Sequence, residues 1–344
     1  MAGHARNLGD LEWKELGYGE RFATRVADLA RPMGAVKLGY NIQEIPPGKA
    51  NVPYHTHYVN EELIVVLDGE LRIRLDGVQH DLRARDVVAL PPGAASFHQL
   101  LNYGDRPARA LLASTMIPRE CVEYADSGKR GLGVGGLARE RAVEYAMIHE
   151  ERVLPTGDPA SYFLGEPFDE PLGEPPPASH DRDTRIANLD DIPWVPYEKG
   201  PFRAERKRIA RHLGARLLGY SLYRVQPGDR TFPYHLEHTN EEFALVLSGR
   251  ARLRTPEGER EVGPDDAMCF PVGREGAHGL TAIGDEPLEV FFLSTMIEPD
   301  VAEYPDSDKV YVIVGAAPGG DPANRALDLV FRKRDAVPYE TDEA

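Results

Sequence analysis

The chain has 344 residues, a formal net charge of −16, 33 glycines and 29 prolines. That length allows two domains of ordinary size, each with its own core. The acidity argues against nucleic acid or an anionic membrane as a partner. One basic cluster (Arg203, Arg206, Lys207, Arg208, Arg211) interrupts it and reads as a solvated face. Two cysteines, Cys121 and Cys269, are too few for a disulfide framework and lack zinc spacing, so they read as small buried apolar residues of a reducing compartment. The N-terminal MAGHARNLGDLEWKELGYGE has no apolar centre of a signal peptide, and no run of about 18 apolar residues occurs. The expectation is a soluble, cytoplasmic protein.

In chain order, the first chemistry-bearing stretch is PYHTHYVNEELIVVLDG, residues 53–69. His55 and His57 stand two apart, so on an extended strand both imidazoles point to one face. Glu61 and Glu62 follow and, by the same alternation, face opposite ways. ELIVVL (62–67) is an apolar, β-branched run of buried-strand length, and ELRIRL (70–75) alternates Leu71, Ile73 and Leu75 with Arg72 and Arg74. DVVALP (86–91) and ARALLAS (108–114) are further strand candidates, separated by PPG and YGDRP turns. PPGAASFHQLLN supplies a third imidazole at His98, and Asn102 beyond it suits a hydrogen bond near the site or the cap of a turn. LARERAVEYAMIHE (137–150) is the best helix candidate. EPFDEPLGEPPPASHDRD (166–183) has the proline and acidic richness of an extended, semi-rigid linker.

The second half repeats the first. PYHTHYVNEELIVVLDG returns as PYHLEHTNEEFALVLSG (233–249), with nine identities in seventeen positions at an offset of 180. The same offset relates Gly39-Tyr40 to Gly219-Tyr220, His98 to His278, STMI at 114–117 to 294–297, and the EY.DS.K pattern of 123–129 to 303–309. ARNLGDLEW (5–13) is echoed by IANLDDIPW (186–194). The domains expected are 1–166 and 188–344, joined by a linker at 167–187. Features kept in both copies, STMI and EY.DS.K among them, are expected to serve the barrel through turns and ion pairs of Glu123, Asp126 and Lys129 and their counterparts.

Three imidazoles converging with a carboxylate suit a borderline divalent transition metal. The remaining histidines outside the repeated motifs read as ordinary core or surface residues.

The spacing His55-x-His57-x4-Glu62-x6-Gly69, followed by Pro91-x-Gly93-x4-His98, resembles the two motifs of the cupin family. Because the pair occurs twice, the chain resembles a bicupin, in particular bacterial cupins with an EY-x-DS-x-K tail. The resemblance implies an all-β fold of two tandem double-stranded β-helix (jelly-roll) barrels with few short helices. It implies that His55, His57, Glu62 and His98 bind a divalent ion (manganese, iron, zinc, nickel or copper), with Glu61 left at the surface or an interface. In the second copy the equivalent set is His235, Glu237, Glu242 and His278, either a harder and weaker site, because Glu237 replaces His57, or a hydrogen-bonded His–Glu cluster that no longer binds metal; His238 should face the other way. It further implies a small-molecule ligand and a pseudo-dimer within the chain, with a homodimer of chains as the open alternative. The function expected is a metal-dependent enzyme, a dioxygenase, decarboxylase or isomerase, acting on a keto or hydroxy acid, a diol or a sugar derivative. The competing expectation is a non-catalytic bicupin that binds metal or a small molecule.

Overall fold

The structure is a computed structural model that describes residues 5–134, 144–155 and 157–341. Strands dominate, with three short α-helices among the described residues, Ala30–Met33, Pro159–Phe163 and Ile209–Leu213. None of the described helices is long and apolar enough to cross a membrane.

The chain forms two compact units. One comprises residues 10–193 with 209–218; the other comprises 194–208 and 219–344 with the N-terminal residues up to Gly9. These limits differ from the boundaries expected at 166 and 188. The reason is that the opening strand of each repeat completes the unit built mainly from the other repeat. Ile186–Asn188 pairs antiparallel with Asp86–Leu90, and Ala5–Asn7 pairs with Asp266–Phe270. The segment 167–187 is extended but not a free spacer. Phe168 and Leu172 pack with Phe22 and Phe163, and Arg72 donates to the carbonyl of Pro176 at 2.6 Å.

The first unit carries the strands expected from the sequence. Glu62–Asp68 lies between Asp86–Leu90 and Ala108–Thr115, all antiparallel, with Leu90 and Ser114 opposite Glu62. Inward-facing Ile64, Val66, Leu71, Ile73, Val88, Leu100 and Ala110 fill one end of the barrel. Each such fully buried large aliphatic side chain contributes roughly 1.5–3 kcal/mol. The helix expected over 137–150 is corrected in part: Glu144–His149 is a strand paired with Lys129–Val134, and residues 135–143 lie outside the described residues. Its partner strand offers a ladder of backbone hydrogen bonds that outweighs the helix propensity of a segment this short.

In the second unit, Glu242–Ser248 is flanked in the same way by Asp266–Phe270 and Leu288–Thr295. The turn after each of these strands depends on glycine. Gly69 has φ +84° and Gly249 φ +72°, and a Cβ on Gly69 would stand 2.8 Å from Ala108 Cβ. On Gly249 it would meet the Pro287 carbonyl. Gly249→Ala is therefore expected to lower unfolding free energy by about 1–3 kcal/mol, read by chemical denaturation. An unchanged midpoint would show that the turn relaxes freely.

The basic cluster is corrected at one position, while Arg203, Arg208 and Arg211 are exposed as expected. Lys207 is only 3 % exposed, its Nζ 4.5 Å from the Trp194 ring centroid, while Arg203 pairs with Asp229. Stacking on an aromatic face, rather than solvation, accommodates that buried cation.

Candidate metal centre

The short strand His55–His57 is held between two antiparallel neighbours. His98–Asn102 places His98 opposite His55, and Arg119–Tyr124 places Val122 opposite His57. This pairing brings two distant imidazoles of the chain face to face. His55, Glu62 and His98 each offer a ligand atom within 4.8 Å of the other two. His98 Nε2 lies 3.2 Å from Glu62 Oε2. His57 stands beside this triad, its Nε2 3.5 Å from Glu62 Oε1.

Both triad imidazoles are oriented by backbone. His55 Nδ1 lies 2.8 Å from the Pro53 carbonyl and His98 Nδ1 lies 2.9 Å from that of Ser96. A carbonyl only accepts, so Nδ1 carries the proton in each ring and Nε2 presents its lone pair to the centre. That is the state in which neutral imidazole binds a metal, and the donor set of two nitrogens and a carboxylate, with a third imidazole adjacent, fits a borderline first-row ion.

The electrostatics agree. Burial drives the His55 pKa well below its usual range, with His98 and His57 adding to the effect. Burial alone would raise Glu62, but His57, His98 and His55 outweigh it and hold the carboxyl down at about 2. Burial likewise opposes charge on His57, yet Glu62 and Glu120 together raise its pKa.

Glu120 escaped the sequence reading. Its Oε2 lies 3.4 Å from His57 Nδ1. It also accepts the backbone N–H groups of Tyr58, Val59 and Asn60, at 3.2, 3.1 and 3.0 Å, and that of its own neighbour Cys121. One carboxylate thus fixes the loop between the two ligand-bearing strands. The signal available was the acid kept at the same offset, Asp300, just before each EY pattern.

Glu61, expected at a surface or an interface, is corrected as to the surface: it is 1 % exposed and lies against residues of the other repeat. On the opposite face from Glu62, its carboxylate accepts the N–H groups of Arg216, Leu217 and Leu218. Consecutive backbone donors form an anion-binding concavity, which makes burial of this carboxylate tolerable. Asn102 caps a turn, accepting from Gly104 N and donating to Arg106 O. In the EY.DS.K pattern, Tyr58 donates to Glu123, Arg74 pairs with Asp126 at 2.7 Å, and Lys129 is buried against Glu166. Tyr54 points away from the centre and accepts from Gly77 N.

A cavity of about 400 Å³ opens onto His55, Glu62 and His98. Asn41, Gln43, Asn51, Ser114 and Leu112 line it, and Tyr162 of the helix Pro159–Phe163 borders it.

The second unit repeats the arrangement with other chemistry. His235 and His278 face each other across a β-bridge, and each Nδ1 contacts a backbone carbonyl at 3.0 Å. His235, Glu242 and His278 form the close triad, with His278 Nε2 3.4 Å from Glu242. Glu237 and Asp300 add two further carboxyl groups. Burial raises both Glu237 and Glu242, and repulsion adds to it, from Glu242 and Asp300 on Glu237 and from Asp300 on Glu242. His238 faces away and pairs with Glu303 at 2.8 Å. Aromatic rings fill the surroundings: Phe232 packs edge-on to His235 at 4.9 Å, and Phe270 stacks on His278 at 3.7 Å between centroids.

The fold has counterparts among known proteins. The cupin domain family matches residues 41–114 and 221–294. Among curated proteins nothing matches significantly. A Pseudomonas aeruginosa protein described as glyoxylate-induced is 16 % identical, with 84 % of this chain and 87 % of that one covered at a TM-score of 0.52. A point mutant of Bacillus subtilis oxalate decarboxylase is 15 % identical, covering 85 % of this chain and 77 % of that one at a TM-score of 0.52. At such identities the likeness establishes the fold. Two matched domains, two barrels and the repeated histidine–glutamate triad together make this chain a bicupin of the cupin superfamily.

Proposed function

We propose that the first barrel holds a divalent transition metal and acts as an enzyme on a small, oxygen-rich substrate: a keto or hydroxy acid, a diol or a sugar derivative. The observation that carries this reading is the triad of His55, Glu62 and His98, with both Nε2 atoms turned inward at the wall of a cavity of about 400 Å³. A bound ion supplies Lewis acidity toward a carbonyl or hydroxyl oxygen, or redox chemistry if the metal is redox-active.

The chain's own residues do the rest. His55, Glu62 and His98 would hold the ion, with His57 as fourth donor. Glu120 positions His57 and the loop 58–60. The cavity wall formed by Leu63, Ile64 and Leu112 keeps water from the substrate's apolar side. The weaker second set, His235, Glu237, Glu242 and His278, would hold a harder ion.

The test is elemental analysis of protein purified without added metal, together with turnover on keto acids, diphenols and sugars and a measurement of oxygen uptake. About one first-row metal per chain with turnover supports the reading; absence of metal overturns it. Metal without turnover on any class favours a non-catalytic binding bicupin. Glu120→Gln tests the positioning role separately. It is expected to weaken metal binding about 10–100-fold while every direct donor remains. An unchanged affinity would restrict Glu120 to loop structure.

A further inference from the structure

The cavity of the first barrel is asymmetric in its chemistry. Gly39, Asn41 and Gln43 alternate along the strand Leu38–Ile45 and line one wall, and Asn51 joins them from the adjoining segment. Asn51 Nδ2 donates to Gln43 Oε1 at 3.1 Å, and Asn51 Oδ1 accepts Leu100 N at 3.1 Å, so this amide pair is fixed. Gln43 is 8 % exposed and Asn51 5 %. Asn41 Oδ1 is buried with no hydrogen-bond partner among the described residues. A buried acceptor left unmatched costs on the order of 1–3 kcal/mol, so its persistence beside a cavity points to a donor that arrives with a ligand.

Beyond the triad, the charged residues lining the cavity are Asp28 and Arg31. They face each other, with Arg31 Nε 3.9 Å from Asp28 Oδ2, and both are well exposed. Among the described lining residues no buried cation is therefore available for a substrate's second negative charge. On the metal-site reading proposed above, on which this step rests, three neutral imidazoles, one carboxylate and a divalent ion leave the centre with one net positive charge. One substrate carboxylate or alkoxide balances that; a second anionic group would be buried without a counter-charge.

The second repeat shows what happens to the barrel without these amides. At the same offset, Asn41, Gln43, Asn51, Val52 and Leu112 become Ser221, Tyr223, Thr231, Phe232 and Phe292. There the Phe232 ring lies 5.3 Å from Phe292 and 6.4 Å from Tyr223, so aromatic packing occupies the space that amides line in the first barrel.

We infer that Asn41 and Gln43, with Asn51 bracing Gln43, are the specificity-determining residues of the first barrel, and that they select an uncharged or singly charged hydroxy-carbonyl or polyol over dianions. Carboxamides carry both donors and acceptors, which matches a substrate that alternates hydroxyl and carbonyl groups. A site built to bond such groups discriminates strongly against ligands that leave its polar atoms unpaired.

The experiment uses the full chain loaded with Mn²⁺. Metal content is measured first, then binding of dihydroxyacetone, lactate, dihydroxyacetone phosphate and oxalate by calorimetry. The wild type is expected to bind dihydroxyacetone or lactate at least about tenfold more tightly than the two dianions. Asn41→Ser, which installs the residue of the second repeat, and Gln43→Leu are each expected to weaken binding of the uncharged probe about tenfold with metal content unchanged; the melting temperature stays unchanged in Asn41→Ser and falls in Gln43→Leu, which strands the buried Asn51 Nδ2. Equal or tighter binding of the dianions overturns the inference, as does unaltered affinity in both variants or no binding of the singly charged and uncharged probes. Failure to take up Mn²⁺ is a different result and overturns the metal-site reading itself.

Discussion

His98→Ala is expected to remove metal from the first barrel, lowering its affinity by more than about 100-fold and abolishing any activity that depends on it. The effect should exceed what loss of an outer partner such as Glu120 produces. His98 is buried, its Nδ1 is committed to the Ser96 carbonyl, and its Nε2 sits 3.2 Å from Glu62. Among the described residues lining the cavity, no group can take its place. His57 already lies on the other side of Glu62, and the cavity wall beyond His98 offers the neutral Asn51 and Ser114. Elemental analysis and isothermal titration read the loss directly, and near-wild-type circular dichroism would separate it from unfolding. The matched control is His278→Ala in the second unit, where carboxyl groups and packed rings surround the same position. It is expected to leave first-barrel metal and turnover in place. If His98→Ala retains its metal while His278→Ala loses it, the two barrels have exchanged roles and the proposed site is wrong.

How much of this was legible follows from the physics of each feature. The barrel and its duplication were legible because inward positions repeat with period two, and because a constant offset of 180 survives in ligands, turns and glycines alike. The triad was legible for the same reason: His55, Glu62 and His98 sit in dense local motifs. What the sequence could not reveal were contacts that depend on which strands become neighbours. Glu120 reaches His57 only because Arg119–Tyr124 pairs with His55–His57. Glu61 looked like a surface residue because its partners, the N–H groups of residues 216–218, are remote in the chain, at separations of 155 to 157 positions. The cavity amides carry no sequence signal of their own, because Asn41 and Gln43 lie on a strand of ordinary appearance and stand out only against Ser221 and Tyr223. The segment 144–149 misled for a plainer reason. A short charged stretch has helical periodicity in isolation, and a partner edge makes it a strand.

The largest stability effect should come from Lys129→Met, expected to cost about 3–5 kcal/mol. Lys129 and Glu166 form an ion pair at 2.6 Å with both side chains 0 % exposed. Lys129 Nζ also donates to Ser127 Oγ and to the Leu164 carbonyl, so a single ammonium ties the strand Lys129–Val134 to the residues just after the helix Pro159–Phe163. Burial lowers the Lys129 pKa, with Glu166 opposing it, and a buried ion pair is in general no more stabilising than well-packed apolar side chains of similar volume. The sign follows. Removing one partner strands a buried charge on Glu166, whereas replacing both leaves none. Lys129→Met alone is therefore expected to be severely destabilising, and Lys129→Met combined with Glu166→Met to recover most of the loss, both read by urea denaturation at neutral pH. The functional consequence runs through Tyr162, which borders the cavity on the helix this pair anchors. The single variant should thus weaken substrate binding in the first barrel without changing its metal content, because none of the triad residues rests on that helix. A double variant as unstable as the single one would show that the pair contributes through geometry that methionines cannot reproduce, and not through compensation of a buried charge.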